Sequence, residues 1–268
     1  MRLNRVALLL ALCAALILPV TMATADDALE DIIERGSIKV GVSLFVPWTM
    51  RSESGNLFGS EIDVADKLAA DMGVTPDYRV YDWNDIIPAL EKGEIDVIVA
   101  GMAITPARAL RVSFSRPSSE SGVSIATNTA MTRNVRGLDQ LNSADIVIAT
   151  VAETLAADLA ETLFDNADVR LFKTAEEAEA AVLDDVAHAY VAAPVETNYL
   201  ALRNPGKVDL PLSKPLLTST AAFAVRKGEQ ELLNFLNAWV TARTADKWLD
   251  ATYSYWFESL DWTQVERD

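Results

Sequence analysis

The chain has 268 residues, a formal net charge of −16, one histidine and one cysteine. An acid surplus of that size repels nucleic-acid phosphates. A single histidine leaves a Ser-His-Asp triad, a Cys-His pair or a histidine metal cluster almost no material to be built from.

The N-terminus reads as an export signal. Arg2 and Arg5 form a basic leader, Val6 to Val20 is almost wholly apolar, and Ala23, Thr24 and Ala25 supply small residues for a peptidase. An apolar run of about fifteen residues is short for a bilayer span. Cys13 lies in the middle of that run behind Leu12, which argues against lipid attachment. Residues 1–25 are therefore expected to be removed, leaving 243 residues with a charge of −18 and no cysteine. Such a chain has no disulfide and takes its stability from its core. No later apolar run is long enough for a membrane helix, so the expected product is soluble, exported and acidic, with no nucleic-acid partner.

Along the remainder, strand-like and helix-like segments alternate. "SIKVGV" is β-branched and short. After a loop, Ile62, Ala65, Leu68, Ala69 and Met72 recur at helical spacing, which predicts a helix from about Glu61 to Met72 stopped by Gly73. "YRVYDW" predicts a strand over 78–83, "NDIIPALEKG" a short helix, and "DVIVAG" a buried strand. "ADIVIAT", "VRLF" and "AHAYVAA" predict further strands separated by the helices "ETLAADLAETLF" and "AEEAEAAVLDD". This alternation is that of an α/β protein with largely parallel sheets. Leu232, Leu233, Phe235, Leu236, Trp239 and Val240 then keep a helical period, and this aromatic tail must pack on something. His188, in "AHAYV", reads as structural. No glycine-rich phosphate loop and no calcium-loop spacing occurs, so no metal or other cofactor and no catalytic residue is predicted.

The stretch "GMAITPARALRVSFSRP" carries the chemistry. Thr105-Pro106 is a helix-start signal, which puts Arg108 in the first turn. A cation there opposes the helix dipole unless an anion offsets it. Exposed backbone N–H groups beside a guanidinium fork suit a carboxylate. A surface arginine paired with a nearby acid is the alternative, and spacing leaves both open.

The segments "IKVGV", "FVPWTM", "GNLFGSEIDVADKLAADMGV", "DWNDIIPALEKGEIDVIVAGMAITPARALRVSFSRP", "AFAVRKGEQELLNFLNAW" and "YWF" together resemble the family 3 extracellular solute-binding proteins, the periplasmic receptors of polar amino-acid ABC transporters. The resemblance covers essentially the whole chain after residue 25. It implies a two-lobed type II periplasmic binding protein fold of α/β class, with a hinge of two crossing strands. Lobe 1 is expected over 26–126 and 224–268 and lobe 2 over 127–223. It further implies a monomer in the periplasm that closes on a small carboxylate-bearing solute, an amino acid or derivative, and presents it to an ABC permease in the inner membrane.

Carried over by position, the resemblance makes Arg108 the residue that grips the ligand carboxylate. Gly101 and Ala103 match positions whose backbone contacts ligand, although Ala103 stands where relatives more often have a hydroxyl. Phe45 and Trp83 match two aromatic walls, with Trp48 close by; flat rings exclude water and can face a cation. Arg111 and Arg116 match no ligand position. In lobe 2, "IATVAET" replaces the usual Gly-Thr, and Thr150 aligns with that threonine. Ala193 stands where amino-acid receptors often carry the acid that binds the α-ammonium. Either Glu196 or Glu153 replaces that acid, or the ligand lacks the ammonium. An enzyme of dehydratase type on the same fold, with Glu153 or Glu196 as its acid, and a sensor without transport are the rival readings.

Overall fold

The computed structural model describes residues 28–259 and Trp262, so the predicted signal segment lies outside the described residues. The chain starts with α1 (Ala28–Arg35) and β1 (Ser37–Val42), where Ile38, Val40 and Val42 are fully buried. A small hairpin of β2 (Met50–Arg51) and β3 (Leu57–Phe58) precedes α2 (Ser60–Met72). Ile62, Ala65, Leu68 and Ala69 of α2 enter one core, while Met72 packs at its margin. Gly73 ends the helix at φ 73°, a left-handed conformation that glycine adopts without a side-chain clash.

There follow β4 (Thr75–Val80), α3 (Trp83–Glu91), β5 (Val97–Ile98), α4 (Pro106–Arg111) and β6 (Ser113–Phe114). The strand expected over 78–83 begins and ends earlier. β4 pairs with β1 from Ser37 opposite Thr75 to Val42 opposite Val80, and Trp83 opens the next helix instead. The predicted cap at Thr105 is present: its hydroxyl accepts the Arg108 N–H at 3.2 Å.

The chain then runs through β7 (Ser119–Asn128), a 3-10 turn (Leu138–Leu141), β8 (Val147–Val151), α5 (Leu155–Leu163), β9 (Asp168–Phe172), α6 (Ala175–Leu183), β10 (Ala189–Ala192), α7 (Pro194–Arg203) and β11 (Val208–Asp209). It returns through β12 (Leu217–Ala221) and β13 (Ala224–Val225) to α8 (Gln230–Ala245), α9 (Trp248–Tyr253) and a π-helical turn (Ser254–Ser259).

Two sheets result. The first has the order β4-β1-β5-β13-β6, with β1 parallel to β4 and β5 and with β13 antiparallel to its neighbours. The second has the order β11-β7-β10-β8-β9, with β8 parallel to β9 and β10 and with β7 antiparallel. β7 and β12 connect them. Ser119–Val123 pairs antiparallel with Leu217–Ala221 as a two-stranded ribbon, and from Ser124 onward β7 pairs with β10. Ser124–Ala126, expected in lobe 1, are thus paired in the second sheet. β12 escaped the sequence reading because "LTSTA" has no apolar run, and its partner strand alone holds it.

The aromatic tail finds its surface on lobe 1. Leu232, Leu236, Trp239, Val240 and Leu249 join the core of β1 and α2. Trp239 Nε1 donates to Asp71 at 2.9 Å and Trp256 Nε1 to Asp63 at 2.7 Å, so both buried indoles keep a partner. His188 is structural, as expected. Its Nδ1 accepts the Val147 N–H at 3.1 Å, and burial lowers its pKa.

Candidate functional site

Between the lobes lies a cleft lined by residues of both. It forms where the parallel strands of both sheets end and helices begin, the place at which open α/β sheets leave a crevice. From lobe 1, the loop after β1 supplies Phe45 and Trp48, the start of α3 supplies Trp83, the segment after β5 supplies Gly101 and Ala103, and α4 supplies Arg108. From lobe 2, Thr154 to Ala156 line it at the start of α5, Tyr190 to Ala193 at the end of β10, and Glu196 on α7. Ser121 and Gly122 of the crossing ribbon close the back. Ala156 and Ala193 present no polar side chain, so they can offer polar contact only through their backbone groups.

Seven of the eight residues singled out in the sequence line this cleft; Thr150 does not. Thr150 lies inside β8 opposite Leu171, fully buried, with its hydroxyl unpartnered. The threonine at the helix start is Thr154, which accepts the Ala157 N–H at 3.1 Å. The cap preference for threonine immediately before an apolar helix was the signal that could have selected it. Tyr190, also missed, sits in a strand pattern that gives no hint of which face meets the cleft.

Arg108 has no salt bridge among the described residues, which removes the paired surface arginine as an explanation of this side chain. One terminal nitrogen donates to the Ala103 carbonyl at 3.0 Å and the other to the Glu153 carbonyl at 2.8 Å. Burial lowers its pKa; a guanidinium nevertheless keeps its charge, and three of its five N–H donors remain beyond these two bonds. Its carbon lies 5.4 Å from the Trp83 ring centroid. Arg111 instead pairs with Glu91 at 2.6 Å, and the Arg116 N–H donates to Asn237 at 2.7 Å, away from the cleft.

The aromatic side is a packed assembly. Phe45 meets Trp83 edge-on at 5.4 Å and also packs on the lobe 2 core. Trp48 tilts against Phe257 of the C-terminal tail at 5.4 Å. Gly101 has φ 59°, and a Cβ there would come within 2.5 Å of the Trp48 indole, so only glycine lets this backbone and ring approach.

The lobes touch across the opening. The Glu153 carbonyl, on a residue with φ 59°, accepts both Arg108 and, at 3.1 Å, Trp83 Nε1. Lys173 reaches Asp82 at 2.6 Å. The Glu153 side chain points to an exposed surface and is not part of the cleft lining. Glu196 is buried: Tyr190 Oη donates to one of its oxygens at 3.0 Å and the Ala193 N–H to the other at 3.1 Å. Desolvation pushes its pKa up to about 7, against the lowering effect of those two bonds.

Two α/β lobes, two crossing strands and an interlobe cleft with an arginine at a helix start define a hinged binding protein. The sequence profile of the bacterial extracellular solute-binding proteins, family 3, matches residues 38–259, and the chain belongs to that family. It is similar to a probable amino-acid ABC transporter periplasmic-binding protein of Sinorhizobium fredii, with 29% identity over 87% of this chain and 81% of that one. The L-cystine-binding protein of Escherichia coli is 24% identical over 95% of this chain and 96% of its own. Among solved structures, an ancestral amino acid-binding protein described as a precursor of cyclohexadienyl dehydratase superposes with a TM-score of 0.80 at 30% identity, over 87% of this chain and 100% of that one. A putative ABC-transporter binding component from Wolinella succinogenes, complexed with lysine, gives 0.79 at 27% identity over 86% and 100%.

Proposed function

We propose that the protein is the periplasmic receptor of an ABC importer and carries a small carboxylate-bearing solute, an amino acid or derivative. The observation that carries this reading is Arg108, a half-buried guanidinium lining an aromatic cleft, held by two backbone carbonyls and with no salt-bridge partner among the described residues. Its fork takes the carboxylate, Gly101 and Ala103 offer backbone contact, and Phe45, Trp48 and Trp83 shield the ligand from water. Lobe closure about the β7–β12 ribbon traps the solute and shifts the population toward the form that a permease recognises. We place lobe 2 between the two crossings and lobe 1 on either side, with residues 1–25 removed on export and the receptor acting as a monomer. The amino-acid-binding relatives support this class of ligand.

Binding without turnover is part of the proposal. The likeness to a dehydratase precursor and the raised pKa of Glu196 favour a second reading, in which Glu196 acts as a general acid on a bound carboxylate. A thermal-shift screen of small carboxylates tests the first, because a ligand that binds only the native state raises the melting temperature. Recovering the hit unchanged after overnight incubation supports a receptor, and its conversion supports the enzyme. No shift with any amino acid or small carboxylate contradicts the proposal.

A further inference from the structure

A second, smaller cavity shares no lining residue with the ligand cleft. Ser60 and Glu61 at the start of α2, Ser118 and Ser119 where β7 begins, and Thr252 and Tyr253 of α9 form its polar lining. It has room for about one water-sized occupant. Phe257, on its apolar side, is the ring that tilts against Trp48. Ser60 is 2% exposed, and its Oγ is buried without a hydrogen-bond partner. Glu61 is also buried and has no salt bridge among the described residues, and neither lysine nor arginine lines the cavity. We propose that this cavity binds a single monovalent cation, held by the Glu61 carboxylate and the Ser60 hydroxyl, with lone pairs of the neighbouring hydroxyls completing the shell.

Every polar side chain around the cavity offers oxygen, the donor type that hard cations take. Among the described residues no cluster of three metal-ligating side chains occurs, and one carboxylate balances one charge. The hydrogens nearby are already committed. The N–H groups of Ser60 and Glu61 donate to the Pro47 and Trp48 carbonyls at 3.0 and 2.9 Å. The hydroxyls of Thr252 and Ser118 donate to the Trp248 and Ala221 carbonyls at 3.0 and 3.4 Å. Lone pairs remain, and lone pairs suit a cation. Burial pushes the Glu61 pKa up to about 7, and only the Gly101 N–H acts against that rise. One such donor leaves most of a carboxylate's acceptor capacity unused. A glutamine would accept the same N–H without burying a charge; a bound cation gives the charge its partner. Ser119, Thr252 and Tyr253 are only half-buried and leave an entry path, and a formal charge of −16 enriches cations around the chain.

Thermal unfolding of the full chain at pH 8 tests this, in lithium, sodium, potassium, ammonium or choline chloride at one ionic strength. Choline is too large for the cavity and controls for screening. At least one small cation should raise the melting temperature above its value in choline, saturably, by about 3–6 °C at ten times its dissociation constant. Glu61→Gln is expected to fold, since its amide oxygen still accepts the Gly101 N–H, and to erase that increment. Ser60→Ala removes a hydroxyl that has no protein partner, so its melting temperature in choline should match wild type. It should need several-fold more cation to reach the same rise. Equal melting temperatures in all five salts would overturn the proposal in favour of a water molecule. An increment that survives in Glu61→Gln, or a Ser60→Ala variant that responds as wild type does, would overturn it as well. None of these outcomes bears on the receptor reading, because neither Ser60 nor Glu61 lines the ligand cleft.

Discussion

The lobe 1 wall of the cleft carries Phe45, Trp48, Trp83 and Arg108, large side chains each held by neighbours, whereas the lobe 2 wall is Val151, Thr154–Ala156 and Tyr190–Ala193 around one buried acid, with Tyr190 its single aromatic and bonded to that acid. Side chains from lobe 1 would define what a ligand is, and backbone from lobe 2 would define whether the cleft is shut. The Glu153 carbonyl illustrates the second role: it takes hydrogen bonds from Arg108 and Trp83 without contributing a side chain. Substitutions in lobe 1 should therefore change affinity and selectivity, while most lobe 2 side-chain changes outside Glu196 should be mild.

Arg108→Ala is the largest break in that contrast. Truncating a charged partner of this kind costs about 2–5 kcal/mol of binding, and Arg108→Lys should recover only part because it lacks the fork. Calorimetry with a ligand from the screen reads both.

Gly101→Ala comes next and acts on lobe 1 alone. The added Cβ meets the Trp48 indole at 2.5 Å in a left-handed backbone, and overpacking of this sort costs roughly 1–3 kcal/mol of stability. A lowered melting temperature together with weaker binding is expected, as Trp48 is pushed off Phe257.

Trp83→Phe keeps an aromatic wall but deletes the bond to the Glu153 carbonyl. The loss should be about 1 kcal/mol, the usual worth of one neutral hydrogen bond, with a reduced tryptophan fluorescence response to ligand. An unchanged response would assign the closure signal to another indole.

Thr150→Val should do least. Its hydroxyl is buried without a partner, so an isosteric apolar side chain is neutral or stabilising by up to about 1 kcal/mol, and ligand affinity should stay at the wild-type value. A large loss of affinity would return Thr150 to the site and break the asymmetry between the lobes.

Most of lobe 1 was legible because its signals are local. The stripe of α2, the stop at Gly73, the cap at Thr105 and the first-turn position of Arg108 are each decided within one helical turn. The hinge was less legible, since β12 and the switch of β7 from one partner to another at Ser124 are matters of long-range pairing that carry no sequence period. Thr150 and Thr154 were confused because four residues separate a strand interior from a helix cap, and only the paired neighbour, Leu171, reveals which is which. Ala193 directed attention to a missing acid, but that Glu196 and not Glu153 turns into the cleft depends on α7 presenting Glu196 beside Tyr190.

The central claim is that Arg108 receives the ligand's carboxylate, and a four-way titration tests it directly. Wild type and Arg108→Ala are each titrated with the screened ligand and with its carboxamide. If guanidinium and carboxylate meet, wild type should prefer the acid by tenfold or more, Arg108→Ala should bind acid and amide within a few-fold of each other, and the losses should be strongly non-additive. Equal preference for the acid in both proteins would show that the carboxylate binds elsewhere and would contradict the account.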